Sequence, residues 1–287
     1  MKTRKGDSME TVNKPLVIAH RGYRAIAPEN TLLAAQKGFE AGAEWWELDT
    51  AETKDGELVV IHDDNLVRTT DAKKTFPGRS PWIVYDFTLE ELRKLDAGSW
   101  FAAADPFRQI AAGVVRRTDV FHALKVPTLR ECLVLTRDLG MKVNVEIKSA
   151  AGHACDASIV EKTVALIREL DMREDVLISS FNHPYLARVK AADAGIRTGI
   201  LIDDPLADPV EKLKDLGAFS LNPNVAKLDE ATVRRVREAG FEVYPWTVND
   251  ESDMRRLLEW GVSGLITDFV DRARGSADAY MRGQTIL

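Results

Sequence analysis

Two acidic residues separated by one leucine carry the clearest chemical signal in this sequence. Glu47 and Asp49 lie in the apolar run WWELD. In an extended chain, side chains two residues apart leave the same face, so the two carboxylates can converge on one cation. Histidines flank the pair, with His20 opening an HRG triplet and His62 in the stretch IHDD. This spacing predicts metal-assisted chemistry.

A second pair with the same spacing occurs in the run KVNVEIK, where Glu146 is followed by Lys148. If this run forms the strand beside WWELD, Glu146 joins Glu47 and Asp49. Three carboxylates make an oxygen-ligand set suited to Mg²⁺ or Ca²⁺, with water in the remaining positions. The nearby histidines leave zinc and manganese open as alternatives.

The charges of this set favour an anionic substrate. Three carboxylates and one divalent cation leave one negative charge, which Lys148 neutralises, and Arg21 then adds one positive charge. A phosphodiester would balance that remaining charge. Arg21 is suited to bidentate contact with phosphoryl oxygens and Lys148 to contact as a point charge. We therefore expect both residues to bind substrate.

The histidines and one tryptophan complete the predicted site. His20 and His62 can act as general acid and general base, since imidazole titrates near neutral pH, although the sequence leaves open which does which. Trp246 is expected to line the pocket against the carbon skeleton of the substrate, with core packing as the alternative. Each motif alone is common in proteins, so the prediction depends on their occurring together.

Composition limits the classes of protein that fit. The 287 residues carry a net charge of −6, which argues against a surface that binds the nucleic-acid backbone. Cys132 and Cys155 lack a CxxC partner and are expected to be free thiols. The N-terminal residues lack the apolar core of a secretion signal, and no run reaches the length of a membrane span. We expect a cytoplasmic protein and leave its oligomeric state open.

Short apolar runs alternate with amphipathic segments along the chain. Runs of this length without strict polar alternation are typical of strands covered on both faces, as in parallel sheets. Eight strand–helix repeats predict an α/β fold, a TIM (β/α)8 barrel, with a doubly wound sheet as the alternative. The predicted strands are 16–20, 45–49, 142–148, 175–181, 197–202, 218–222, 241–248 and 264–268. The predicted helices are 31–40, 89–95, 158–170, 184–194, 209–216, 229–239 and 251–260, with Asn30, Asp229 and Asn249 or Asp250 as caps. As alternatives, Glu29 and Asn30 could orient the site, and Asn249 could line the pocket beside Trp246.

Polar residues recur where the predicted strands end. In a TIM barrel these ends form one rim, and the rim carries the active site. We expect a polar tail at 1–14 and a single catalytic barrel at 15–287, with a small insertion after the second strand at about 63–125. Trp100 and Phe101 in the insertion are expected to pack onto the barrel rather than contact a lipid. The polar strand ends are His20, Asp49, Lys148, Asn182, Asn222, Asn249 and Asp268.

The motifs also occur in a recognisable order. They are HRG at 20–22, APENT at 27–31, GAEWWELD at 42–49, TKDGELVVIHD at 53–63, LDAGSWF at 95–101, VPTL at 126–129, EIK at 146–148, SSF at 179–181, WTVN at 246–249 and ITD at 266–268. This set resembles the glycerophosphodiester phosphodiesterase family over nearly the whole chain after the tail. The resemblance implies a TIM barrel, a divalent metal and hydrolysis of a glycerophosphodiester to sn-glycerol 3-phosphate and an alcohol.

The resemblance also assigns roles by position. It implies substrates such as glycerophosphocholine or glycerophosphoethanolamine, cleaved through a cyclic intermediate or by direct attack of water. A lysophospholipase D-like activity and a non-catalytic barrel that binds polyol phosphates are the alternatives. Residues 102–125 depart most from the family pattern, so the alcohol group stays open. By position the metal ligands are Glu47, Asp49 and Glu146, the acid–base pair is His20 and His62, and the substrate-binding residues are Arg21, Lys148 and Trp246.

Overall fold

The computed structural model describes residues 14–283. Apart from Lys14, the predicted polar tail at 1–14 lies outside the described residues. Within the described part, nine strands form one sheet. They are β1 (Leu16–Ala19), β2 (Trp45–Glu52), β3 (Leu58–Val60), β4 (Lys142–Ile147), β5 (Val176–Ser180), β6 (Arg197–Ile202), β7 (Ser220–Pro223), β8 (Glu242–Val243) and β9 (Gly264–Thr267).

Eight of these strands form a closed parallel barrel. Their order is β8-β7-β6-β5-β4-β2-β1-β9, while β3 pairs antiparallel with the far end of β2. The amide of Ser263 donates to the Val243 carbonyl over 2.9 Å, and that of Val248 donates to the Ile266 carbonyl over 2.8 Å. These bonds join the two ends of the sheet. The predicted TIM barrel is confirmed, and the doubly wound alternative is wrong because such a sheet stays open.

Side chains of β2 alternate between the helical layer and the barrel axis. Trp46 and Leu48 belong to the large apolar cluster that the barrel shares with its helices. Trp45 instead packs with Leu177 of β5 and Ile266 of β9, which lie on distant strands and meet only across the barrel interior. Since side chains alternate along a strand, Glu47 and Asp49 also face the axis, above the apolar cluster that contains Trp45.

The helices surround the barrel and agree with most of the predicted segments. Asp229 and Asp250 cap their helices as predicted, but the cap of the first helix is Thr31 and not Asn30, because the Thr31 hydroxyl accepts from the Ala34 amide. The sequence analysis missed four helices: two short ones between β3 and VPTL, one after VPTL and one at the C-terminal end of the described chain. The helices are α1 (Leu32–Glu40), α2 (Ala72–Thr75), α3 (Leu89–Leu92), α4 (Ser99–Ala104), α5 (Leu129–Leu139), α6 (Ile159–Glu169), α7 (His183–Ala192), α8 (Pro209–Asp215), α9 (Glu230–Glu238), α10 (Glu251–Trp260) and α11 (Val270–Met281).

The chain between β3 and α5 packs against the barrel through two apolar clusters. One cluster surrounds Phe87 and Leu95, and in the other Phe101 meets Ala34 of α1. Phe101 is buried, and the half-buried Trp100 donates its indole N–H to the Ala97 carbonyl. The bounds of 63 and 125 for an insertion stay a prediction.

Two further expectations concern single features. Cys132 and Cys155 are both buried free thiols, as predicted. Among residues 14–283, no helix has the length and apolar character needed to cross a membrane.

Candidate active site

Three carboxylates meet at the carboxyl end of two neighbouring strands. Glu47 and Asp49 lie on β2 and Glu146 on β4, and the register pairs Asp49 with Glu146. One oxygen from each lies within 4.8 Å of the others. Glu47 Oε1 and Asp49 Oδ1 are buried without a hydrogen-bond partner. Buried, unpartnered oxygens that converge in this way fit a divalent cation, which prefers such ligands.

The pKa values of these carboxylates also agree with a site for a divalent cation. Burial raises the pKa of Glu47 well above its ordinary value, and the charges of Asp49 and Glu146 raise it further. Burial and the charge of Asp49 likewise raise the pKa of Glu146. Like charges in a low dielectric disfavour ionisation, so the cluster needs positive charge to hold all three groups as carboxylates.

Two basic side chains border the carboxylates. Lys148 Nζ lies 2.9 Å from Glu146 Oε1 and 3.6 Å from Asp49 Oδ1. Arg21 Nε lies 3.3 Å from Asp49 Oδ2, and the Arg21 amide donates to Glu47 Oε2 over 2.9 Å. Positive charge therefore lies beside the candidate cation site, where the sequence predicted the substrate phosphate.

The two predicted acid–base histidines are held in the same way by different carboxylates. His20 Nδ1 lies 2.7 Å from Asp268 Oδ1, and His62 Nδ1 lies 2.6 Å from Asp63 Oδ1. The pKa values of both aspartates lie below the ordinary range because, although burial raises them, hydrogen bonds to the histidines and neighbouring arginines outweigh it. An ionised carboxylate only accepts, so each Nδ1 donates and each Nε2 stays available for proton exchange.

His20 is the more enclosed of the two histidines. Burial lowers its pKa and the charge of Arg21 lowers it further, while the hydrogen bond to Asp268 opposes both. Its Nε2 lies 4.0 Å from Glu47 Oε2, at the edge of the carboxylate cluster. The side chain of His62 is 30% exposed. The His20 imidazole is therefore shielded from solvent, whereas the His62 imidazole is partly exposed to it.

A cavity of about 480 Å³ brings most of the predicted residues together. Asp49 lies behind its wall. Opposite the charged residues the wall is apolar, and Phe181 meets Trp246 edge to face with ring centroids 5.5 Å apart. A larger cavity of about 670 Å³ contains none of the predicted site residues and lies around Lys142 and Ser263, at the other end of the barrel. The smaller cavity is lined by His20, Arg21, Glu47, His62, Asn144, Glu146, Lys148, Phe181, Leu201, Asp203, Trp246 and Ile266.

Comparison with known proteins agrees with this geometry. Residues 20–272 match the Glycerophosphoryl diester phosphodiesterase family. The chain belongs to this family. A glycerophosphodiester phosphodiesterase of Caldanaerobacter subterraneus subsp. tengcongensis is 38% identical over 255 residues, which are 89% of this chain and 94% of that protein. One from Bacillus subtilis is 34% identical and covers 89% and 84% of the two chains.

Solved structures are also similar to this chain. A phosphodiesterase from Oleispira antarctica in complex with the product sn-glycerol-3-phosphate has a TM-score of 0.75 and 30% identity, covering 92% of this chain and 97% of that one. A putative glycerophosphoryl diester phosphodiesterase from Silicibacter pomeroyi has a TM-score of 0.80 at 25% identity and covers 96% of both chains.

In this family member, several residues beside the cavity hold the predicted site residues in place. Asn30, predicted as a helix cap with orientation of the site as the alternative, donates its amide to Asp49 Oδ2 over 2.8 Å. Asn249, predicted as a cap or a pocket residue, donates to Asp268 Oδ2 over 2.7 Å. Asp63 and Asp268 orient the histidines. The position of Asp63 next to His62, and of Asp268 at a strand end on the same rim, were the available signals.

Gly22 in the HRG triplet allows the sharp turn of the backbone that places Arg21. Its φ is +80°, and an added Cβ would lie 2.5 Å from the carbonyl carbon of Ala34 in α1. We expect Gly22→Ala to lower the free energy of unfolding by at least about 2 kcal/mol, because it combines left-handed strain with a backbone clash. Chemical denaturation measures this change.

Gly78 offers a matched control for that substitution. A Cβ at Gly78 would meet no atom within 4 Å. Gly78→Ala should therefore change the free energy of unfolding by less than about 0.5 kcal/mol. Equal stability of the two variants would show that the turn at Gly22 tolerates a side chain.

Proposed function

We propose that this protein hydrolyses water-soluble glycerophosphodiesters, such as glycerophosphocholine or glycerophosphoethanolamine, to sn-glycerol 3-phosphate and an alcohol. The observation that carries the proposal is the single cavity in which a candidate cation site, two basic side chains and two oriented imidazoles converge. Membership of the family supports the reaction, and the product complex of the Oleispira antarctica relative supports the substrate class. A cytoplasmic location stays a prediction.

The carboxylates Glu47, Asp49 and Glu146 would hold Mg²⁺ or Ca²⁺. Such an ion supplies Lewis acidity that polarises a phosphoryl oxygen. Arg21 and Lys148 bind the remaining phosphoryl charge from the same side of the cavity. These side chains are already held by hydrogen bonds and ion pairs, so little reorganisation is needed when charge develops on the phosphate.

The histidines move the protons. His20 and His62 both line the cavity, and one accepts a proton from the attacking group while the other, protonated, donates to the departing alkoxide. The attacking group is either water or the neighbouring glycerol hydroxyl, and in the second case water then opens the cyclic phosphodiester to give sn-glycerol 3-phosphate. Asp268 and Asp63 stabilise whichever imidazole carries the positive charge. The apolar wall of Trp246 and Phe181 packs against carbon atoms of the substrate and excludes water on that side.

The alternatives are less well supported. A lysophospholipase D-like enzyme would need an apolar lip at Trp100 and Phe101, but Phe101 is 1% exposed and packs on Phe121. A barrel that only binds polyol phosphates would have no use for two imidazoles whose Nδ1 atoms are held by aspartates. Hydrolysis of the soluble substrates accounts for both observations.

A substrate panel tests the proposal. We expect the chelator-treated protein to be inactive on glycerophosphocholine, glycerophosphoethanolamine and a lysolipid, and added Mg²⁺ or Ca²⁺ to restore turnover of the two soluble diesters, with release of sn-glycerol 3-phosphate measured by a coupled assay. Mn²⁺ and Zn²⁺ serve as comparison ions. Full activity in chelator, or turnover of the lysolipid alone, would contradict the proposal.

A further inference from the structure

Glu29 is a buried carboxylate beside the active site that the proposed chemistry does not use. Its side chain is 2% exposed and contacts three guanidinium groups. Arg21 Nη1 lies 3.0 Å from Oε1, and Arg24 Nη2 lies 3.0 Å from Oε2. Arg68 donates to both oxygens, over 2.7 Å and 2.9 Å. One carboxylate thus holds three cations, two from the loop after β1 and one, Arg68, from a distant part of the chain.

One of these arginines connects Glu29 to His62. The Arg68 guanidinium also donates to Asp63, from Nε over 2.6 Å and from Nη2 over 3.0 Å. Asp63 is the residue that accepts from His62 Nδ1. Arg68 therefore lies between two carboxylates with planar, paired hydrogen bonds, a geometry that fixes the orientation of both partners.

A second arginine connects Glu29 to His20. Arg24 Nη1 lies 3.6 Å from Asp268 Oδ1, the oxygen that accepts from His20 Nδ1. Asn249 holds the other oxygen of Asp268. This arm is an ion pair reinforced by an amide, so it is looser than the paired hydrogen bonds on the His62 side.

The charge of Glu29 is needed to keep this arrangement together. Burial raises its pKa, but the hydrogen bond from Arg68 and the charges of Arg24 and Arg21 outweigh burial and bring the pKa to about 2. Removing the carboxylate would leave three guanidiniums close together in a partly buried region without their common partner. Buried charges without partners are costly, so the arginines would turn toward solvent or toward other carboxylates.

We propose that Glu29 is the positioning residue shared by both catalytic histidines: through Arg68 it holds Asp63 and His62, and through Arg24 it holds Asp268 and His20. The assignment of the histidines as catalytic rests on the proposed function. The link itself is a property of the described contacts. A single carboxylate then sets the relative placement of the two groups that exchange protons with the substrate.

Glutamine and aspartate variants of Glu29 test the proposal. Glu29→Gln keeps the shape but removes the charge and points an amide N–H at a guanidinium. Glu29→Asp keeps the charge but is one methylene too short to reach all three arginines. Arg68→Lys and Arg24→Lys each interrupt one arm only. Glu52→Gln is the control, because Glu52 is also buried and accepts from Lys162 Nζ over 2.6 Å but lines no part of the cavity.

Two-bond ¹H–¹⁵N spectra of the five histidines report which ring nitrogen carries the proton. The protein is kept in Mg²⁺, and the signals are assigned from His20→Asn and His62→Asn. In the wild type we expect Nδ1-protonated rings at His20 and His62. Glu29→Gln should shift the signals of both, Arg68→Lys those of His62, Arg24→Lys those of His20, and Glu52→Gln those of neither.

Activity gives a second readout. We expect Glu29→Gln to lower kcat by about 10- to 100-fold, the usual range for a group that positions catalytic residues. If Glu29→Gln fails to fold, Glu29→Asp must shift both histidines. Unchanged histidine signals in the folded Glu29 variants, or a shift of one histidine alone, would overturn the proposal. A wild type that hydrolyses no diester but shows the coupled spectra would refute the proposed function and leave the link intact.

Discussion

Replacing either His20 or His62 by asparagine should lower kcat at least ~100-fold, the low end of the range for losing a general acid or base. Asparagine places an amide N–H near the position of Nδ1, so the bond to Asp268 or Asp63 can persist while the proton-exchanging Nε2 is lost. The loss therefore falls on chemistry and not on the fold. Steady-state kinetics with glycerophosphocholine measures it.

The metal site provides the check that each variant is intact. Neither histidine is among the three carboxylate ligands, so the thermal stabilisation by Mg²⁺ or Ca²⁺ should match that of the wild type. His122→Asn is the control, since His122 contacts Ser99 away from the cavity, and its kcat should stay within about twofold of the wild type, as expected for a surface change. Wild-type kcat in the His20 and His62 variants would remove both from the mechanism.

Much of the barrel and its carboxylate pair could be predicted because the signals are local. Side-chain alternation within one strand places Glu47 and Asp49 on one face whatever the rest of the chain does. The eight predicted strands correspond to those of the barrel for the same reason, since each is a continuous apolar run covered on both sides. What needed the structure was the register that pairs Asp49 with Glu146.

The parts that were missed depend on contacts between distant segments. Asparagine is a common helix-cap residue, but Thr31 caps this helix. The Asn30 side chain instead binds Asp49, which is 19 residues away. Glu29 meets Arg68 across 39 residues and His20 meets Asp268 across 248. No periodicity encodes such pairs, because they form only when the barrel closes. Sequence reasoning therefore reached the groups proposed to do the chemistry and offered an orienting role for Glu29 and Asn30 as an alternative, but it did not reach the partners that these residues contact.

Glu47→Gln should separate the loss of stability caused by repulsion among the three carboxylates from their role in binding metal. In chelator the variant should melt at or above the temperature of the wild type. Burial and the charges of Asp49 and Glu146 raise the pKa of Glu47 in the folded protein. The Glu47 side chain therefore stabilises the fold fully only below the ordinary carboxyl pKa, and this stabilisation is lost as the pH rises through the raised pKa. The glutamine carbonyl can still accept from the Arg21 amide, and its N–H can donate to a neighbouring carboxylate.

Added metal should reverse the order of stability. A metal ion at one hundred times its dissociation constant stabilises the wild type by about 2.7 kcal/mol. Glu47→Gln has one carboxylate fewer to bind the ion, so it should gain much less stability from the metal and show little turnover. Differential scanning calorimetry with chelator and with Mg²⁺, from pH 5 to pH 8, measures both parts, with Glu52→Gln on the same strand as control. Equal stabilisation of Glu47→Gln and the wild type by Mg²⁺ would mean that Glu47 is not a ligand. A chelated variant clearly less stable than the chelated wild type would mean that the three buried carboxylates do not repel one another, since relief of that repulsion is what the neutral side chain provides.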